Sequence, residues 1–142
     1  MTALSKTAAS LRIFGQDLDP DEITNLLGKR PDAAERRGQI ICNPKSAAER
    51  TASRGRWSVQ VERRSPGDLD AQIAALLDGA TDDLSAWQRV TSNFDADIFC
   101  GLFLEEENEG LTIAPTTLKK LGDRGLLLSL DIYAPGRHDP DE

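Results

Sequence analysis

The chain alternates short apolar runs with polar loops, and two of its segments show the same order of features. Residues 11–28 (LRIFGQDLDPDEITNLLG) read as a strand, a polar loop and a helix that opens with proline. Residues 102–122 (LFLEEENEGLTIAPTTLKKLG) repeat this order, and each segment is followed by another strand-like run, at 57–61 and 126–133. The pattern predicts two strand–helix–strand halves around one core.

Local signals place the individual elements. Asp19 can cap a helix whose first residue is Pro20, and Gly28 can end it in the left-handed conformation. The predicted helices are 20–27, 69–78, 82–90 and 115–121. The predicted strands are 10–14, 57–61, 97–104 and 125–133, with a short edge strand at 39–42. The strand at 97–104 is apolar on both faces, which is typical of a central strand.

This order of elements predicts one α+β domain over residues 1–134, followed by a disordered tail over 135–142. The expected architecture is a ferredoxin-like sandwich: a four-stranded, mainly antiparallel sheet built from two β-α-β halves, with an inserted helical segment between them. No apolar run reaches the length of a membrane helix, and the N-terminus lacks the pattern of a signal peptide. A cytoplasmic location is therefore expected.

Several segments resemble a bacterial domain-of-unknown-function family, the one numbered 4279, and the resemblance covers residues 9–133. The segments that carry it are LRIFGQDLDPDEITNLLG, GRWSVQVE, DLDAQIAALLD, DIFCGLFLEEENEGLTIAP and GLLLSLDIY. The family has no established activity, cofactor or catalytic residue, so the resemblance assigns no role to any residue. It implies only that the chain is not expected to be an enzyme of a familiar class.

Charge is distributed unevenly along the chain. The net charge is -7 overall, but residues 29–64 carry +6 and residues 65–142 carry -11. The basic segment could steer an acidic partner, or its arginines could pair with the carboxylates of the rest of the chain. Because the whole chain is acidic and lacks the basic–aromatic pattern of RNA-binding sheets, nucleic acid is not an expected partner.

Catalytic signatures are lacking in the sequence. The single histidine, His138, lies in the predicted tail, which leaves no Ser–His or Cys–His pair. Cys42 and Cys100 read as reduced thiols, with Cys100 buried in a strand. Asp17 and Glu107 could act as an acid–base pair if the loops of the two halves lie side by side. No catalytic residue and no cofactor is assigned.

The densest cluster of ligand-type side chains is the acidic loop after the central strand. Glu105, Glu107 and Glu109 are weak candidates for a site that binds calcium or magnesium. Their spacing differs from that of an EF-hand loop, and charge-rich loops are usually solvated. Asp95 and Asp97 lie at the opposite end of the strand and are not expected to join the cluster.

One face of the predicted sheet is unusual because it combines aromatic side chains with charges. The residues predicted to point away from the helices are Arg12, Phe14, Phe99, Phe103, Asp131 and Tyr133, with Arg12 and Asp131 as an opposed charge pair. Such a face needs a ligand, a second subunit or a covering element. The segment 29–56 and the helix at 82–90 are the candidates for an internal cover.

The sequence therefore favours a non-catalytic protein-interaction module, of the immunity or regulatory type, that contacts another protein or a second copy of itself. A homodimer is one form of this hypothesis, and membrane binding is not expected. Two alternatives stay open. The first is a dimeric domain that senses a small ligand in a groove, and the second is a metal-assisted enzyme that uses the carboxylates of the acidic loop.

Overall fold

The computed structural model describes residues 2–136, which contain the predicted strands and helices in the predicted order and four further short strands. The strands are β1 (Thr2–Ala3), β2 (Lys6–Gly15), β3 (Ala33–Glu35), β4 (Ile40–Cys42), β5 (Glu49–Thr51), β6 (Gly55–Gln60), β7 (Asp95–Phe103), β8 (Glu109–Gly110) and β9 (Leu127–Tyr133). The helices are α1 (Pro20–Leu27), α2 (Leu69–Leu77), α3 (Leu84–Asn93) and α4 (Pro115–Arg124). The predicted tail falls mostly outside the described residues, and His138 lies outside them.

The main sheet has five strands in the order β3-β6-β2-β7-β9. The central strand β2 is antiparallel to both β6 and β7, whereas β7 and β9 run parallel. Two small pairs lie outside this sheet: β1 pairs with β8, and β4 forms a hairpin with β5. The class is therefore mixed α+β, as the sequence predicts.

The ferredoxin-like arrangement is not confirmed, because only one of the two predicted β-α-β halves has that form. In the second half, α4 connects β7 to the parallel strand β9. In the first half, the long segment after α1 brings the chain back to the end of the sheet where β2 stops, and Gly15 pairs with Gly55. The returning strand β6 therefore runs antiparallel to β2. The similarity between the two segments is local and does not extend to topology.

Three helices begin after an aspartate that caps them, whereas α3 and α4 run three residues beyond their predicted ends, to Asn93 and Arg124. At α1, the carboxylate of Asp19 accepts a hydrogen bond from the N–H of Asp21, and Gly28 ends the helix with a φ of 70°. Asp68 and Asp83 cap α2 and α3 in the same way. Within the described part of the chain, no helix combines the length and the apolar character that crossing a membrane requires.

All four helices pack on one face of the sheet, which is called here the covered face. The two tryptophans lie in this core with no exposed surface, and each has a partner for its indole N–H. Trp57 donates to the hydroxyl of Thr24 on α1, and Trp87 donates to the carbonyl of Thr81 before α3. Because α3 contributes to this core, the predicted helix at 82–90 does not cover the opposite face.

Candidate functional site

The opposite face of the sheet, called here the open face, is formed by alternate residues of its strands. In β2 the even-numbered residues from Lys6 to Phe14 are only partly buried, whereas the odd-numbered residues from Thr7 to Ile13 are buried. The strand register places the six predicted residues on the open face: Arg12, Phe14, Phe99, Phe103, Asp131 and Tyr133. Their role in an interaction stays a prediction.

The charge pair at the centre of the open face differs from the predicted one. Arg12 binds both carboxylate oxygens of Asp97, with nitrogen–oxygen distances of 2.9 and 2.7 Å. Asp131 cannot take this place, because β7 separates β9 from β2 and Asp131 is aligned with Gly101. Asp97 is the direct cross-strand neighbour of Arg12. Such a two-point contact fixes the guanidinium plane over the sheet.

A row of alternating guanidinium groups and rings extends from this ion pair towards the β3 side of the sheet, and it is called here the ridge. The guanidinium carbon of Arg12 lies 4.1 Å from the ring centre of Phe99 and 5.1 Å from that of Phe14. Arg54 follows, with its guanidinium carbon 4.4 Å from the ring centre of Phe14. Arg54 belongs to the segment predicted as a cover, which reaches the open face only at this edge.

At the other end of the open face the side chains surround a hollow of about 320 Å³. Its floor consists of small residues of β2 and β7, because Gly101 pairs directly with Ala8, and Ser10 follows. The residues that line it are Ala8, Ala9, Ser10, Gln60, Val61, Arg63, Phe99, Gly101, Phe103 and Tyr133. A larger hollow of about 520 Å³ lies between residues 61–65 and α2, but its lining has no aromatic side chain.

Three aromatic rings and the guanidinium of Arg63 form the walls of the 320 Å³ hollow. The rings of Phe103 and Tyr133 are stacked, with centroids 4.7 Å apart and planes 5° from parallel. Two cationic groups lie over Phe103, the ammonium of Lys6 at 4.8 Å and the guanidinium of Arg63 at 5.4 Å from the ring centre. Because Tyr133 stacks on one face of Phe103 and the two cations lie over the other, this ring presents its edge to the hollow, beside positive charge.

Gly101 adds no side chain to the floor of the hollow, which makes the hollow deeper. A Cβ atom at this position would lie 3.0 Å from the nearest ring carbon of Phe103 and 3.7 Å from the Cβ of Ala8. The first distance is shorter than ordinary carbon–carbon contacts, so any residue with a Cβ atom here would require the Phe103 ring to shift by a few tenths of an ångström. The glycine lets the stacked pair lie against the sheet.

The acidic loop uses one of its carboxylates to hold its own backbone. Glu109 accepts a hydrogen bond from the hydroxyl of Ser5, and bonds of 2.6 and 3.1 Å from the N–H groups of Glu105 and Glu106. These bonds, with that from Ser5 the strongest, lower the pKa of Glu109 from its ordinary value of 4.5. Among the residues described here, no three His, Cys, Asp or Glu side chains are grouped to hold a metal ion.

The other candidates for chemistry are kept apart by the fold. Asp17 follows the end of β2 at Gly15, whereas Glu107 follows Phe103, which pairs with the first residue of β2. The two carboxylates therefore lie at opposite ends of the sheet, because β2 and β7 are antiparallel. Cys100 is buried, and burial raises the pKa of its thiol to about 12. It is thus protected from acting as a nucleophile.

Two arginines of the basic segment pair with carboxylates from the start of the chain. Arg36 binds Asp19 and Asp21, at 2.7 and 2.6 Å. Arg37 lies 3.1 Å from a carboxylate oxygen of Asp17. Three acidic residues around α1 thus balance two of the arginines, which weakens the idea that this segment steers an acidic partner.

Sequence reasoning missed some of the residues that shape the open face. Asp97 alternates with Phe99 along β7, and this periodicity was a usable signal that it shares a face with the rings. Arg54 and Arg63 flank β6 outside its regular alternation, and no local pattern indicates that they turn onto the rings. Their positions depend on the path of the chain on either side of the strand.

The chain belongs to the family described as Domain of unknown function (DUF4279), because the model of that family matches residues 5–135. The match spans nearly all of the described sheet and its helices. No curated protein and no solved structure matches the chain.

Proposed function

We propose that this protein acts by binding, and that the hollow on the open face takes a small ligand with a flat apolar part and a negative charge. The observation that carries this proposal is the combination of the stacked Phe103 and Tyr133 with two cations beside them. A ring of the ligand would lie on the small-residue floor against these side chains. Its negative group would lie towards Lys6 and Arg63.

The dimensions and the chemistry of the hollow suit such a ligand. A volume of about 320 Å³ lies at the lower end of the range for small-molecule sites. Edge-to-face contact with aromatic rings favours a planar group, and a guanidinium binds a carboxylate through two parallel hydrogen bonds. Ser10 and Gln60 lie in the lining and supply further hydrogen-bonding groups.

The experiment that tests this proposal is a thermal-shift titration with benzoate and, in parallel, with the neutral analogue benzamide. Benzoate should raise the melting temperature in a saturable way, because a ligand that binds only the folded state stabilises it. Benzamide should bind at least about tenfold more weakly, because it lacks the charge–charge contribution. Arg63→Gln should reduce this preference for the anion, because it removes one of the two cations.

A pair of matched variants checks where the ligand binds. Ala8→Leu should abolish the benzoate shift, because the added side chain fills the floor of the hollow. Ala33→Leu is the control, because Ala33 is exposed on the edge strand β3 and lies outside the lining. Equal shifts with benzoate and benzamide, or an undiminished shift in Ala8→Leu, would contradict the proposal.

A protein partner is the second candidate, and the ridge is the observation that favours it. Arg54, Phe14 and Arg12 extend the open face beyond the hollow, further than a small ligand reaches. Arginine and aromatic side chains are enriched at the centres of protein interfaces. A regulatory or immunity-type role would use this part. Phe14→Ala should then weaken capture of the partner and leave benzoate binding unchanged.

A further inference from the structure

The outer side of β9 is a free edge of the main sheet. β9 pairs with β7 on one side, and no strand among the described residues pairs with its other side. The carbonyl of Tyr133 accepts a hydrogen bond from Leu104 and so points towards β7. Because backbone groups alternate along a strand, those of Leu128, Leu130 and Ile132 point to the free side.

The side chains along this edge are apolar and exposed. Leu127, Leu130 and Ile132 have exposed fractions of 68%, 44% and 66%. Asp131 is the one charged residue of the strand, and the strand contains neither lysine nor proline. Proteins usually protect a long free edge with such residues, because it otherwise pairs with another chain. The opposite edge of the sheet, β3, has only three residues and is a poorer template.

We propose that β9 pairs in antiparallel fashion with β9 of a second copy of this chain, about a two-fold axis at Leu130. This inference does not depend on the ligand proposed above. The strand runs from residue 127 to residue 133, so Leu130 is its midpoint. A two-fold axis there uses the whole edge of both copies, as a closed symmetric dimer requires.

The register about this axis is complementary in hydrogen bonds, in apolar contacts and in charge. Leu130 lies opposite its own copy and Leu128 opposite Ile132, which are the residues whose backbone groups point outwards. The pairing forms about six backbone hydrogen bonds. Asp131 lies opposite Ser129, so that the two carboxylates of the dimer do not face each other.

The second copy also contributes to the hollow. In this register Leu127 of one copy lies directly opposite Tyr133 of the other, on the open face. Tyr133 lines the hollow and stacks on Phe103, while Leu127 is the most exposed large apolar residue of the described chain. Pairing would extend the aromatic wall with an aliphatic side chain and join the two open faces into one continuous surface.

The first test measures the mass of the full chain by light scattering over a range of concentrations. The wild type should approach twice 15.5 kDa, and Ile132→Lys should shift the equilibrium towards the monomer. The expected weakening is on the order of a hundredfold, because two apolar side chains change in each dimer. Ile40→Lys is the matched control, because Ile40 is 65% exposed in another edge strand. It should leave the mass unchanged.

The second test checks the register by oxidative cross-linking with copper phenanthroline in a Cys42→Ser, Cys100→Ala background, because Cys100 is aligned with Leu130 and would otherwise compete for the new thiol. Leu130→Cys should form an intermolecular disulfide, because residues paired in this way have Cα atoms about 5.5 Å apart. Leu127→Cys should not form this disulfide, because the two Cα atoms of residue 127 would lie roughly 20 Å apart in the dimer. Leu127 is more exposed than Leu130, so exposure alone would predict the opposite result.

Two outcomes would overturn the proposal. One is a wild-type mass of 15.5 kDa at all concentrations, and the other is equal cross-linking of the two cysteine variants. Either result would leave the proposed ligand site standing if benzoate still binds. If the protein is a dimer but does not bind benzoate, the ligand proposal is contradicted and the dimer proposal stands. The two proposals therefore fail separately.

Discussion

The two faces of the main sheet use the same strands but are stabilised by different interactions. On the covered face, Leu11, Ile13 and Ile98 have no exposed surface and pack beneath the helices. On the open face, Phe14 and Phe99 stay partly exposed, and guanidinium groups rather than helices lie over their rings. The covered face therefore provides most of the stability, and the open face presents a defined surface.

This difference shows how the aromatic rings of the open face can stay without a covering helix. A guanidinium stacked on a ring covers apolar surface while its edge keeps contact with water. Arg12, Arg54 and Arg63 each lie over a ring in this way. Each contact is worth about 0.5–1 kcal/mol at an exposed site, so a ligand or a partner can rearrange them at modest cost.

Neighbouring residues of β7 should show the largest contrast between the two faces. Ile98 lies on the covered face with no exposed surface, and Phe99 lies on the open face. We expect Ile98→Ala to lower the free energy of unfolding by about 4 kcal/mol, because it leaves a cavity in a close-packed core. Phe99→Ala, which removes a larger side chain, should cost only about 1 kcal/mol. Urea denaturation measures both values.

An equal loss of stability in Ile98→Ala and Phe99→Ala would contradict this difference between the faces. Such a result would mean that the open face is covered in solution, by a second copy or by another part of the chain. Repeating the measurement at several protein concentrations separates these cases, because only burial between copies depends on concentration.

A polar residue of the covered face gives the next largest expected effect. The amide of Gln72 donates to the carbonyls of Thr7 and Glu62, at 3.0 Å each, and accepts from the Thr7 hydroxyl at 2.6 Å. Gln72→Leu keeps the volume but leaves these buried groups without partners, and we expect a loss of about 3 kcal/mol. Gln88→Leu, on an exposed position of α3, should change stability by less than about 0.5 kcal/mol.

A Gln72→Leu variant as stable as the wild type would show that water replaces the amide. Hydrogen exchange of the Asp68 N–H, which is bonded to the Thr7 hydroxyl at 3.0 Å, would report that replacement directly.

The covered face was more predictable from the sequence than the open face. Alternating apolar residues and helix caps such as Asp19 are local signals, and they locate the elements to within a few residues. The strand order depends on whether a connection crosses over or turns back, and the segment after α1 has no local pattern that decides this. The partner of Arg12 follows from strand order: β7 and not β9 lies next to β2, so Asp97 rather than Asp131 is its neighbour.

The Arg12–Asp97 pair tests whether the open face has structure of its own. The two side chains are 27% and 12% exposed, between a surface pair and a buried one. We therefore expect Asp97→Asn to cost about 2 kcal/mol, more than a solvated pair and less than a buried one. Asp131→Asn, at the exposed carboxylate that the sequence predicts to oppose Arg12, should cost less than about 0.5 kcal/mol. Equal losses in these two variants would show that Arg12 changes partner in solution.

The smallest expected effect on stability is that of Glu109, which lies at the end of the sheet and belongs to neither face. Because the Ser5 hydroxyl and two N–H groups favour the charged form of Glu109, its pKa in the folded protein lies below the ordinary value of 4.5. This carboxylate therefore stabilises the fold above pH 4.5, and the contribution is lost as the pH falls through the lower, folded-state pKa. Glu109→Gln should have a slightly lower denaturation midpoint than the wild type at pH 7, and the two midpoints should become equal in acid.

Glu107→Gln is the control, at an exposed position of the same loop, and it should leave the midpoint unchanged at both pH values. A deficit of Glu109→Gln that persists in acid would assign its role to the shape of the loop rather than to its charge.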